Sequence, residues 1–241
     1  MTEPPISAER LRRCEFLRDA GVYLVTEESL SSGRRSEQIA EAALAGGVRV
    51  IQVREKGGSA RRALEIAVAI RSLTRRYDAL LIVNDRIDLA LVAEADGVHL
   101  GQDDLPVADA RRLLGEYALI GLSITKASQM AEPEAGLADC LGVGAIFPTG
   151  SKTDATLTGL ALLEDVRATG AARQAAGARR PPIVAIGGID AANAAIAVRA
   201  GADLVAVISA ITAAADPERA AAGLLEAVRA ARAHLPAGTA L

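Results

Sequence analysis

Three groups of polar residues in this chain have the types and spacing to handle phosphate. The first is Gln52-Val53-Arg54-Glu55-Lys56. Side chains alternate along an extended segment, so Gln52, Arg54 and Lys56 share one side while Glu55 points elsewhere or orients a cation. Two cations converging on a dry surface suit a polyanion such as pyrophosphate. The same residues would equally make an internal Arg–Glu network. The second group is acidic, with Asn84-Asp85 followed farther along by Asp103-Asp104. Paired carboxylates with few other ligands hold Mg²⁺ when substrate phosphates complete its shell. A helix cap at Asp85 and turn chemistry at Asp103-Asp104 are the alternatives. The third group, Phe147-Pro148-Thr149-Gly150-Ser151-Lys152-Thr153, combines backbone amides, hydroxyls and a lysine. It is not a nucleotide-binding P-loop, because Gly144 and Gly150 lie one residue too far apart and no acidic partner is evident, which argues against an ATPase.

Composition narrows the setting. Of 27 basic residues only Lys56, Lys126 and Lys152 are lysine, which suggests positions where a compact point charge cannot be exchanged for a planar guanidinium. A net charge of −3 argues against a nucleic-acid partner. Two cysteines, Cys14 and Cys140, cannot build a disulfide framework. The opening MTEPPISAERLRRCEF has no long apolar core and does not read as a secretory signal, and no stretch is apolar enough for a membrane span. A cytoplasmic, single-domain protein with no membrane partner is expected.

The elements that must position these residues follow from hydrophobic patterning. Eight short apolar runs, Val22–Thr26, Val48–Val53, Leu80–Asn84, Gly97–Leu100, Leu119–Ser123, Cys140–Val143, Ile183–Ile186 and Leu204–Val207, alternate with longer Ala/Leu/Arg segments of helical character. The runs are almost continuously hydrophobic, as expected of parallel strands buried on both faces. LAGGVRVIQV, AEADGVHLG, GLADCLGVG and RAGADLVAV repeat one pattern, an apolar helix end, a small residue or Asp, then a strand. Eight β-then-α units close most naturally into a single-domain α/β fold, the (β/α)8 TIM barrel. A doubly wound open sheet is the runner-up, but Thr26-Glu27-Glu28 after the first strand carries no dinucleotide fingerprint. Residues 1–20 are expected to form an N-terminal arm or helix, 21–235 the barrel, and 236–241 a tail. Asp216-Pro217-Glu218 reads as the start of the last helix. The stretch from Gly170 to Arg180 reads as a mobile surface connection.

In such a barrel active sites form on the rim at the carboxyl ends of the strands. The polar groups above all follow strands, and so do Ser123, Gly187-Gly188 and Ile208-Ser209. A cationic, metal-assisted sector after strands two to four would then face a sector of backbone amides and hydroxyls after strands six to eight. Loops seven and eight of barrels commonly cradle phosphate at a helix N-terminus, and a helix is expected near Asp190. His99 is expected to be buried and structural, crowded by Leu100 and Gly101, and His234 to lie on the surface. No Ser/His/Asp triad and no Zn²⁺ ligand spacing is legible.

The motifs QVREK, NDRIDLAL, ADGVHLGQDDLP, GVGAIFPTGSKTD and AIGGI, in this order, closely resemble the thiamine-phosphate synthase family, across Tyr23 to Ile211. The resemblance implies a transferase of thiamine biosynthesis that joins a hydroxymethylpyrimidine diphosphate to a thiazole phosphate, releasing pyrophosphate with Mg²⁺ as cofactor. By motif, Gln52, Arg54, Lys56, Asn84, Ser123 and Lys152 would contact the pyrimidine diphosphate, with Arg54, Lys56, Ser123 and Lys152 the catalytic set. Asp85 and Asp104 would hold magnesium. Thr149, Gly150, Ser151, Gly188, Ile208 and Ser209 would hold the thiazole phosphate. Two departures stand out: Val53 replaces the usual leucine, and Thr125, followed by Lys126, replaces a histidine of many relatives. A thiazole tautomerase and a non-catalytic thiamine-precursor-binding barrel are the competing readings. The state of assembly, homo-oligomer included, is left open, as is whether the thiazole is carboxylated.

Overall fold

Eight apolar runs of β-branched residues become eight parallel strands because each is covered on both faces. They are β1 Val22–Thr26, β2 Val50–Val53, β3 Leu80–Asn84, β4 Gly97–Leu100, β5 Leu119–Ile124, β6 Cys140–Val143, β7 Ile183–Ile186 and β8 Leu204–Val207. The computed structural model describes residues 6–150 and 156–235, so Ser151, Lys152 and the tail from Pro236 lie outside it. Each strand pairs in parallel with the next and β8 pairs with β1, which closes the barrel. The expected (β/α)8 barrel is therefore the observed fold. The second strand begins two residues later than its apolar run, since Val48 donates its N–H to Ala43 at the preceding helix end.

The helices are α1 Ala8–Asp19, α2 Ser36–Ala45, α3 Ala60–Arg76, α4 Ile87–Val92, α5 Val107–Leu114, α6 Pro133–Leu137, α7 Gly159–Ala175, α8 Ala194–Arg199, α9 Ser209–Thr212 and α10 Pro217–Ala233. Two hydrophobic clusters result. The larger lies between strands and outer helices, with Leu24, Ile51, Leu81 and Ile120 among its strand residues. The smaller fills the barrel with alternate strand residues such as Tyr23, Val50, Leu80 and Leu119, and is joined by Cys14 and Leu17 of α1. Asp216 caps α10 by accepting from Arg219 N at 3.0 Å, as its sequence signature predicts.

The amino-terminal floor of the barrel is held by a repeated ionic device. Asp96, Asp139 and Asp203 directly precede β4, β6 and β8, and each is buried. Their carboxylates accept the N–H groups of Leu81 (2.8 Å), Ile120 (2.9 Å) and Ile183 (2.7 Å) from the neighbouring strands. Arg71 and Arg13 pair with Asp96, while Arg10, Arg111 and Arg179 pair with Asp139. Arg180 clamps Asp203 through two contacts of 2.7 and 2.9 Å and is itself only 5% exposed. This corrects the expectation of a mobile Gly170–Arg180 connection. Its first part completes α7, Gly170 leaves room for the Arg180 side chain, and Arg179 and Arg180 lock the floor. Asp203→Ala would leave a buried guanidinium without its carboxylate, and a loss of about 3–5 kcal/mol in urea unfolding is expected. A loss below about 1 kcal/mol would show that the floor pairs are not structural.

Candidate active site

At the opposite end, the strand termini surround a cavity of about 770 Å³. Its lining includes Gln52, Arg54 and Lys56 from β2 and its loop, Asn84 and Asp85 from β3, Asp104 after β4, and Ser123 from β5. Across the mouth it includes Thr149 and Gly150 after β6, Gly188 after β7, and Ile208 and Ser209 after β8. Every candidate residue within the described segments thus meets at one mouth. Lys126 is exposed but does not line the cavity, and Gln129 holds the Thr125 and Lys126 amides with its side-chain oxygen at 2.8 and 3.0 Å.

Alternation sends Gln52 into the barrel, where its Nε2 donates to the Tyr23 hydroxyl at 2.9 Å on the cavity wall. Burial pushes the Tyr23 phenol well above its usual pKa, so it remains a neutral hydrogen-bonding group. Arg54 pairs closely with Glu27, a buried acid in the turn after β1 that motif reading passed over. The arginine–glutamate network is therefore real and coexists with the cavity, because Arg54 both pairs with Glu27 and lines the mouth. Glu55 points away from the mouth. It accepts from Thr26 Oγ1 and Glu28 N, each at 3.1 Å, and from Ser36 Oγ, which ties the first loop to the second. Burial raises its pKa despite these donors.

Asp85 does not cap a helix; the residue before α4 is Arg86. Its backbone is left-handed, with φ +60°, and its N–H donates to His99 O at 2.9 Å. Its carboxyl lies close enough to that of Asp104 for the two to influence each other. Burial first, then the neighbouring Asp104, raises the Asp85 pKa to about 6, while Lys56 and Arg54 act in the opposite direction. Turn chemistry at Asp104 is also present, since its Oδ2 accepts Gly101 N at 2.7 Å. Two adjoining carboxyls that repel unless a proton lies between them are suited to a hard divalent cation whose other ligands come from substrate and water. The described residues hold no cluster of three or more His, Cys, Asp or Glu ligands, so any further ligands in such a site would have to come from elsewhere.

On the far side, Gly187 and Gly188 both have positive φ, and added Cβ atoms would lie 2.6 Å from Ala145 Cα and 2.4 Å from Pro148 O. Glycine is required there by backbone conformation and close packing together, and it joins the loops after β6 and β7. The expected helix near Asp190 starts later, at Ala194. Asp190 instead accepts Ala192 N at 2.8 Å and Asn193 N at 3.2 Å in a turn, and Asn193 Nδ2 donates to Gly188 O at 2.8 Å.

His99 is buried at Nδ1, in line with its expected burial, and the groups set against its ring lie on β5 and β6. The ring enters the barrel, lines the cavity and meets Ser123 Oγ through Nε2 at 3.0 Å. Alternation from the buried Val98 was the signal that could have placed it inside.

The geometry agrees with what this chain is similar to. The family model for thiamine monophosphate synthase matches residues 22–211. The thiamine-phosphate synthase of Haloarcula marismortui is 49% identical over 216 residues, 89% of this chain and 99% of the relative. That of Chloroflexus aurantiacus is 48% identical over 204 residues, 84% of this chain and 90% of the relative. The solved thiamine phosphate pyrophosphorylase of Pyrococcus furiosus is 36% identical, has a TM-score of 0.77, and matches over 89% of this chain and 98% of that one. With the closed barrel and its carboxyl-end cavity, these relations show that the chain belongs to the thiamine monophosphate synthase family.

Proposed function

We propose that this chain is a thiamine-phosphate synthase. It joins 4-amino-5-hydroxymethyl-2-methylpyrimidine diphosphate to a thiazole phosphate and yields thiamine phosphate and pyrophosphate. The observation that carries this reading is the convergence on one cavity of an acid pair and cations from β2 to β4 with backbone and hydroxyl groups from β6 to β8. The C–O bond between the pyrimidine methylene and the diphosphate breaks, its electron pair leaving with the diphosphate. The thiazole nitrogen lone pair then forms the new C–N bond. The electron-rich aminopyrimidine stabilises the cation formed between these events, so no protein general base is required.

Arg54 and Lys56 would neutralise charge gathering on the departing diphosphate, assisted by Asn84, Ser123 and, from its motif, Lys152. Preorganised donors of this kind contribute about 3–4 kcal/mol each. Asp85 and Asp104 would hold Mg²⁺, which when bound supplies further positive charge to the diphosphate oxygens. Gln52, anchored by Tyr23, would orient the pyrimidine ring. Thr149, Gly150, Gly188, Ile208 and Ser209, with Ser151 from the same motif, would seat the thiazole phosphate. A tautomerase would have no use for the paired acids, and a sensor would have no use for cations aimed at a leaving group. Neither alternative is supported by the relatives, which are named as synthases.

Incubation with both phosphorylated halves and Mg²⁺ is expected to release thiamine phosphate and pyrophosphate in equal amounts, and to release neither when one half is omitted. Absence of both products from folded protein would overturn the proposal.

A further inference from the structure

Two glycines in the barrel wall have no backbone reason to be glycine. Gly121 and Gly142 lie in β5 and β6, and neither has positive φ. A Cβ on Gly121 would lie 2.4 Å from His99 Nδ1, and one on Gly142 would lie 2.8 Å from His99 Cε1. Both positions are kept clear by the same imidazole. That ring is held by a chain of neighbours, with Asn84 and Gly121 its register partners on either side and Ser123 Oγ at 3.0 Å from Nε2. The serine backbone is fixed as well, because Gln102 Nε2 donates to Ser123 O at 2.6 Å.

The tautomer decides what the serine can do. His99 Nδ1 is buried and has no hydrogen-bond partner among the described residues. A proton on Nδ1 would strand a buried N–H donor, which folded proteins tolerate less readily than an under-used acceptor. It would also turn Nε2 into an acceptor and draw the Ser123 proton away from the cavity. A neutral imidazole has a single N–H to place, on one ring nitrogen or the other.

We propose that His99 is a positioning residue, whose Nε2–H donates to Ser123 Oγ and commits the serine's own proton to the cavity as a donor to the departing diphosphate. This rests on the synthase reading above and adds to it a group that organises Ser123 without touching the reacting atoms.

The chain has only two histidines, which makes the tautomer directly measurable. In ¹⁵N-histidine-labelled protein, with the exposed His234 assigned through His234→Gln, the His99 ring is expected to show a bare Nδ1 and a protonated Nε2. A protonated Nδ1 would overturn the proposal, and this measurement needs no substitution in the site. In turnover, His99→Ala is expected to lower kcat about 10- to 100-fold, as loss of an orienting partner does elsewhere, with little change in KM for the pyrimidine diphosphate. His99→Gln, which keeps an N–H donor, is expected to recover much of the loss. The double variant His99→Ala/Ser123→Ala is expected to be no slower than Ser123→Ala, since His99 acts through the serine. Losses that multiply would show that His99 acts independently and would overturn the proposal. Full activity of Ser123→Ala would remove Ser123 from the reaction and end this role for His99, while synthase activity itself would stand.

Discussion

Asp85→Asn is expected to lower kcat by about 10²- to 10³-fold while making the metal-free protein more stable at neutral pH. Both effects follow from one geometry. The Asp85 carboxyl is half-buried against Asp104, and its pKa is raised from 3.8 to about 6. Between those values the folded chain binds more protons than the unfolded one, so stability falls as pH rises through that window and stays reduced above it. A shift of this size corresponds to about 3 kcal/mol at most, and solvent screening of a half-exposed group brings it to about 1–2 kcal/mol. Asparagine removes that penalty together with a candidate metal ligand. Melting in chelator should therefore show Asp85→Asn above the parent protein at pH 7, with the gap closing towards pH 4. The same proton linkage predicts that Mg²⁺ affinity falls as pH drops through about 6. A variant that loses activity without gaining stability would show that burial and Asp104 together do not penalise the Asp85 carboxylate in the folded chain.

Arg54→Ala is expected to reduce kcat/KM for the pyrimidine diphosphate by about 10²- to 10³-fold and to leave KM for the thiazole phosphate within about twofold. Arg54 lines the mouth with its guanidinium fixed by buried Glu27, which is 7% exposed. Removing the arginine leaves that acid unpaired beside the proposed diphosphate site, so the variant loses a cation and acquires an uncompensated anion. Arg54→Lys should recover only part of the loss, since an ammonium cannot reproduce a planar fork held at one edge by Glu27. Steady-state kinetics with each substrate varied in turn separates the two KM values. Equal damage to both would mean that Arg54 supports the mouth as a whole.

The strands were readable because parallel strands buried on both faces become continuous apolar runs, and the rim because polar residues clustered after those runs. What escaped depends on neighbours across strands. Glu27 follows a strand directly, yet only the fold shows that it meets Arg54, 27 residues away. The burial of His99 was legible, but not that the space for its ring is made by Gly121 and Gly142 on other strands. The floor left a signal in the Asp that recurs before strands four, six and eight. Its arginine partners come from distant helices and loops, so the pattern was visible without its purpose. Lys152 and Ser151 rest on their motif alone, as both lie outside the described residues.

On the reading proposed above, one rim carries two separate anion sites, one for a diphosphate and one for a monophosphate. Calorimetric titration with inorganic pyrophosphate and Mg²⁺, followed by orthophosphate, tests it most directly. Each anion is expected to bind in the presence of the other, and Asp104→Asn or Arg54→Ala to weaken pyrophosphate at least about tenfold while orthophosphate binding persists. Competition between the two anions for a single site, or pyrophosphate binding indifferent to both substitutions, would contradict it.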